Sequence, residues 1–320
     1  MKSILGIHHV TAIAGDPQQN IDFYAGVLGL RLVKVTVNFD DPGSYHFYYG
    51  DGEGHPGTIL TFFSWPGARR GKVGNSQVTA TSFAVPPDTL AFWRERLAGK
   101  GIAVDAEFER FGQQVLPFTD QDGLRLELIE TAVTNPAHAW DRSTVPGGAA
   151  IRGFHSATLS ETGYEGTAEL LTGTMGFRLL GEEQNRFRYE IGDGAASRII
   201  DVVNAPGAAE GRVAAGTVHH IAYRTANDPD QRDWLAEITQ KRYNVSPVMD
   251  RTYFHSIYFR EPGGILFEIA TDVPGFAVDE PVEQLGEGLK LPPWLEAQRP
   301  EIERALPSIQ RVQPEQKATV

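Results

Sequence analysis

The chain of 320 residues has no cysteine. Disulfides, thiolate metal sites and thiol nucleophiles are excluded together, which leaves His, Asp and Glu as the candidate metal ligands. Basic charge is also scarce: 29 Lys and Arg stand against 41 Asp and Glu, a formal net charge of −12. Nucleic acids and acidic membrane surfaces are bound by clustered Lys and Arg, so neither is an expected partner. No apolar run approaches the length of a membrane span, and residues 1–16 lack the ordered regions of a secretory signal. These absences describe a soluble cytoplasmic protein acting on a small neutral or weakly acidic molecule.

What the chain does have is internal repetition. The segment LGIHHVTAIAGD at 5–16 returns as GTVHHIAYRTANDPD at 216–230, with weaker copies beginning at Gly74 and Ile151. Each copy runs from a strand through a helix-start signal (Asp16; Pro87 with Asp88; Glu161 with Thr162; Asp228 to Asp230) into an amphipathic helix. A glycine-ended turn and further strands follow, closing on GTILTFF, LRLELIE, SRIIDVV and ILFEIA. The plan is βαβββ four times, over residues 4–70, 74–135, 150–206 and 216–275. Residues 276–320 differ in kind, with one helix expected near 293–305 and a flexible tail from about 309.

This organisation resembles the vicinal oxygen chelate superfamily, in which two such units form a cup-shaped sheet whose first and last strands supply metal ligands. The resemblance implies an α+β fold of two cup-shaped mixed sheets. Unit 1 then offers His9 and, where a carboxylate would stand, Phe62; unit 2 offers Ala80 and Glu127; unit 3 offers His155 and Asp201; unit 4 offers His220 and Glu268. If units 1 and 4 pair, the site is His9, His220 and Glu268, two histidines and a carboxylate with open positions. If units 3 and 4 pair, His155 and Asp201 join His220 and Glu268, and His155 replaces His9. The His-His doublet occurs only in units 1 and 4, which favours pairing 1 with 4 and 2 with 3. Glu127 and Asp201 are then exposed or salt-bridged remnants, and the run YHFYY around His46 packs the cup wall, with a pocket role as the alternative.

A closer resemblance rests on HHVT, RFGQ at 110–113, RGFHS at 152–156, VHH at 218–220, RTYFHSIYFREPGGILFE at 251–268 and LGEGLKLPP at 285–293. Together these are similar to the hydroquinone-type ring-cleaving dioxygenases. That family implies an extradiol-type enzyme taking an aromatic diol and O2, with Fe(II), or Mn(II) in its place, on His9, His220 and Glu268. It implies supporting roles for His8, His219, Thr11, Arg251 and Tyr258. His255 departs from the pattern, standing where those enzymes carry an acidic residue, and so bears on substrate preference. Two other readings remain: a metal-dependent glyoxalase-type isomerase or lyase with four ligands, and a metal-free protein that binds aromatic drugs. Exposed edges of such cups also favour a homo-oligomer.

Overall fold

Short runs of β-branched and aromatic residues, each bounded by turn residues, form sixteen strands among the described residues, which are 2–132, 140–192 and 197–312 of this computed structural model. Unit 1 contains β1 (Ile7–Ala14), α1 (Pro17–Ile21), β2 (Arg31–Asn38), β3 (Asp41–Gly50) and β4 (Ile59–Ser64). Unit 2 contains β5 (Gln77–Val85), α2 (Leu90–Gly99), β6 (Phe108–Arg110), β7 (Gln113–Thr119) and β8 (Arg125–Glu130). Unit 3 contains β9 (Phe154–Glu161), α3 (Glu165–Gly173), β10 (Arg178–Glu183), β11 (Arg186–Glu190) and β12 (Ile199–Asn204). Unit 4 contains β13 (Thr217–Thr225), α4 (Asp228–Gln240), β14 (Met249–Asp250), β15 (Phe254–Arg260) and β16 (Leu266–Pro274), and α5 (Arg299–Ala305) follows it.

The strands make two eight-stranded mixed sheets. One has the order β14-β15-β16-β13-β1-β4-β3-β2, the other β10-β11-β12-β9-β5-β8-β7-β6. Units 1 and 4 therefore share one cup and units 2 and 3 the other, each joined by an antiparallel pair, β1 with β13 and β5 with β9. The convex faces bury Tyr24, Trp93, Leu171 and Trp234 from the helical segments against Val10, Leu128, Leu159 and Ile221 of the sheets. Caps differ from expectation at α2, which starts beyond Asp88 and takes its cap from Glu130, whose Oε1 accepts from the amides of Thr89 (2.7 Å) and Leu90 (2.9 Å). None of these helices is long and apolar enough to cross a membrane.

Each of the four central strands carries a β-bulge at one matched place. The pairing skips His8 on β1, Thr79 on β5, His155 on β9 and His219 on β13. A bulge adds a residue and re-aims its neighbour, which lets the following side chain point into the cup.

The C-terminal segment crosses the outer strand of the first cup. Lys34 on β2 is fully buried and donates to Asp279 (2.5 Å) and Glu280 (2.6 Å), while Thr36 Oγ1 donates to the Lys290 carbonyl and Tyr45 OH to that of Pro307. The expected helix at 293–305 is shorter, a 3-10 turn over Glu296–Gln298 followed by α5. The expected flexible tail is corrected over 309–312: Gln310 exchanges two hydrogen bonds with Gln18, and Ile309 and Val312 pack on the core. Residues 313–320 lie outside the described residues.

At the seam between cups, Glu161 of β9 meets Glu261 of the β15–β16 turn, which accepts from Thr167 Oγ1 and the Gly263 amide. Both Glu161 oxygens are buried without a hydrogen-bond partner among the described residues. Burial and the neighbouring Glu261 push Glu161 up to about 8. The folded chain thus holds a proton that the unfolded chain has already released above the ordinary carboxylate range, so this pair's contribution to stability falls as pH rises toward about 8. Melting temperature is expected to drop across that window in the parent chain and to drop less in Glu161→Gln; parallel curves for the two would refute it.

Candidate metal centre

β1, β13 and β16 bring His9, His220 and Glu268 to one point on the concave face of the first cup. His9 Nε2 lies 3.3 Å from His220 Nε2 and 3.3 Å from Glu268 Oε2, and His220 Nε2 lies 2.9 Å from that same oxygen. Three ligands at right angles around one cation, each about 2.1 Å from it, stand about 3 Å apart. The triangle therefore fits a metal bound through one face, with the opposite positions open. Glu268 is fully buried, Ser256 Oγ donates to its Oε1 at 2.5 Å, and among the described residues its Oε2 faces only the two imidazole nitrogens, the arrangement expected of an oxygen that shares a cation with them. Burial raises the Glu268 carboxyl, but the imidazoles of His9 and His220 outweigh it and hold it well below the carboxylate range.

The first histidine of each doublet orients the second. His8 Nε2 lies 3.1 Å from the Thr271 carbonyl, which can only accept, so Nε2 carries the proton and His8 Nδ1 is left as an acceptor. His9 Nδ1, at 2.9 Å, donates to it, and the lone pair of His9 is left on Nε2, facing the cluster. His219 Nδ1 stands in the same relation to His220 Nδ1 at 2.8 Å. Burial lowers His8 well below the ordinary imidazole value and His219 to about 3, so both are neutral at physiological pH.

Beside the cluster opens a cavity of about 340 Å³, at the small end of the range for small-molecule sites. Thr11, His219, Arg251 and Tyr258 all line it, between apolar walls that include Phe63, Phe254 and Leu266. Arg251 Nε donates to Tyr258 OH at 3.2 Å and its guanidinium lies over the Tyr258 ring. Burial, reinforced by Glu268, pushes the Tyr258 phenol up, so it remains protonated. His8 does not line the cavity and acts behind His9.

Register corrects three expectations. In each unit the residue after the bulge faces the cup, and the residue two further on pairs with the last strand: Thr11 with Thr61, Ser82 with Glu127, Thr158 with Asp201, Ala222 with Glu268. The unit 1 counterpart of Glu268 is therefore Thr61; Phe62 turns to the opposite face and packs on Tyr24. The unit 3 counterpart of His220 is Ser156, and His155 takes the bulged place of His8 and His219, its Nδ1 3.0 Å from Ser156 Oγ. His155 sits in the other cup, where burial lowers it to about 4. His255, bulged out of its pairing with β16, contacts Asp228 at 2.7 Å, away from the cavity.

The second cup holds Ala80, Glu127, Ser156 and Asp201 at the matched positions, and arginines fill it. Arg110 grips both oxygens of Glu127 at 2.8 and 2.7 Å; Arg188 grips those of Asp201 at 2.7 and 2.9 Å. Gln113 accepts from Arg188 and Phe111 stacks beneath it, so three residues of RFGQ serve this cluster. Glu127 and Asp201 are salt-bridged remnants, buried rather than exposed. Sequence reasoning missed Ser256 and Thr61, and for the YHFYY run the pocket alternative holds at two positions. His46 and Tyr48 line the cavity, whereas Tyr45, Phe47 and Tyr49 pack into the core. The period-two alternation of YHFYY was the available signal.

A family model described as the glyoxalase/bleomycin resistance protein/dioxygenase superfamily matches residues 6–128 and 153–269. MhqO of Bacillus subtilis (strain 168), which carries the name of a ring-cleaving dioxygenase, is 50% identical over 305 residues, covering 95% of this chain and 96% of its own. The chlorohydroquinone/hydroquinone 1,2-dioxygenase of Sphingobium indicum is 36% identical over 307 residues, covering 94% and 95%. A crystal structure of a Bacillus subtilis protein designated a dioxygenase superposes with a TM-score of 0.94 at 48% identity, covering 98% of this chain and 100% of that one.

Chelator-competition metal binding is expected to be lost in His9→Ala and His220→Ala, weakened roughly 10–100-fold in His8→Phe, and retained in His155→Ala. Loss in His155→Ala with retention in His9→Ala would reverse the assignment. In the second cup, Arg188→Met removes the two-pronged partner of Asp201 and leaves Arg186 at 3.1 Å to hold it, so the expected cost in denaturant unfolding is about 1.5–3 kcal/mol; an unchanged midpoint would contradict the pairing.

Proposed function

The chain belongs to the glyoxalase/bleomycin resistance protein/dioxygenase superfamily, and from that premise we propose that it is an Fe(II)-dependent ring-cleaving dioxygenase of extradiol type that inserts O2 into a hydroquinone- or catechol-type ring. Mn(II) suits the same ligands. The observation that carries the reading is the three-atom face of His9, His220 and Glu268, with a threonine hydroxyl at the fourth matched position. Three protein ligands leave room for a phenolic oxygen and dioxygen together. A glyoxalase-type isomerase reading asks for a fourth ligand, and Thr61 is a poor one. Against a metal-free binding role stands the buried Glu268 carboxylate, whose Oε2 faces two imidazole nitrogens and no arginine or lysine among the described residues.

Bound at this face, Fe(II) supplies a Lewis-acidic centre that acidifies a phenol and takes up O2. The residues around it do the rest. Phe63, Phe254 and Leu266 hold a single aromatic ring and exclude water. His219, neutral and with Nδ1 committed to His220, presents its Nε2 proton to the cavity and exchanges protons with substrate oxygens. Arg251 stabilises negative charge on those oxygens, and the protonated Tyr258 donates beside it.

Protein reconstituted anaerobically with Fe(II) is expected to consume O2 with a hydroquinone or catechol and to place both atoms of labelled O2 in a ring-opened acid. Arg251→Leu and Tyr258→Phe are each expected to lower turnover about 10–100-fold while metal content stays constant. No O2 uptake across a panel of diols by metal-replete protein would overturn the proposal.

A further inference from the structure

A line of hydroxyls and one imidazole runs along the unit 1 side of the cavity. Thr61, at the matched fourth position, is fully buried, with Oγ1 2.9 Å from Thr11 Oγ1 and 2.9 Å from His46 Nε2. His46 Nδ1 lies 3.0 Å from the hydroxyl of Tyr48. The Phe63 ring packs 4.3 Å from that of His46 and holds it in place.

The line has a direction. Tyr48 is buried, and among the described residues its hydroxyl has one hydrogen-bond partner, His46 Nδ1, so the phenol donates there. A neutral imidazole with its Nδ1 lone pair engaged carries its proton on Nε2. His46 Nε2 then donates to Thr61 Oγ1, and Thr61 spends its own proton on Thr11 Oγ1. The Thr11 proton is the one left over, and Thr11 borders the cavity beside His9.

We propose that His46 is a positioning residue that acts through Thr61 to fix the Thr11 hydroxyl as a hydrogen-bond donor, making this corner of the cavity a seat for an anionic phenol oxygen. An ionised phenol oxygen accepts from that donor; an aromatic amine, presenting N–H groups of its own, meets it donor to donor. The assignment builds on the ring-cleaving reading for its ligand class, and the hydrogen-bond direction holds independently of it.

Two measurements test it without turnover. In protein loaded with diamagnetic Zn(II), nitrogen NMR is expected to find His46 protonated at Nε2 and bare at Nδ1. Anaerobic titration with a nitrophenol, whose ionised form absorbs visible light, is expected to give binding about 10–100-fold weaker in His46→Phe, with metal content and the circular dichroism of the folded protein unchanged. His46→Gln, which restores an N–H toward Thr61, is expected to recover most of that affinity. A proton on Nδ1, equal probe affinity in His46→Phe, or no recovery in His46→Gln overturns the assignment even if O2 uptake is observed. Absent O2 uptake with the Nε2 proton and the affinity pattern in place would overturn the dioxygenase reading and leave this assignment standing.

Discussion

The cavity depends on one antiparallel seam, β1 against β13, and on the bulge each strand carries there. Regular strands would send His8 and His9 to opposite faces, one into the cup and one into the core beneath the helices. The extra residue bends the backbone so that the two imidazoles meet through their Nδ1 atoms, and the same happens at His219 and His220. Candidate ligand and support thus come from adjacent residues on each strand. The third member of the cluster follows because β16 runs parallel to β13 in the register that brings Glu268 beside Ala222.

The two cups show what the same positions do with and without histidine. Both bury carboxylates on their last strands, and a buried carboxylate needs a positive neighbour. In the second cup Arg110, Arg186 and Arg188 provide it, and their planar guanidiniums fill the space a substrate would occupy. In the first cup no arginine or lysine contacts Glu268 among the described residues, and the two imidazole nitrogens beside it form a donor set suited to a cation. One scaffold therefore carries an ion-paired centre and a metal-type centre, separated only by which side chains reach four equivalent points.

The four-fold repeat, the pairing of its ends and the convergence of His9, His220 and Glu268 were legible because the histidine doublet is rare, polar and confined to units 1 and 4. Bulges were not legible. They add one residue without a compositional mark, which is why the counterparts fell one place away, on Phe62 rather than Thr61 and on His155 rather than Ser156. Ser256 was hidden beside His255, since only the register of β15 against β16 tells which of the two reaches Glu268. The arginine clusters join residues on different strands, Arg110 to Glu127 and Arg188 to Asp201, which local pattern does not reveal. His46 and Tyr48 looked like wall residues because their strand is aromatic on both faces.

Pairing the ends of the chain also sets how far apart in sequence its seams close. The second cup is made of neighbouring units, so its seam β5–β9 closes a modest loop. The first cup waits for β13, and His220 follows His9 by 211 residues. Every strand of the second cup precedes β13 in the sequence, so once folded that cup brings β13 near β1 and shortens the effective loop that the closing pair must confine. The arginine-filled cup is in this sense a spacer and a jig for the candidate metal centre at the other end of the chain.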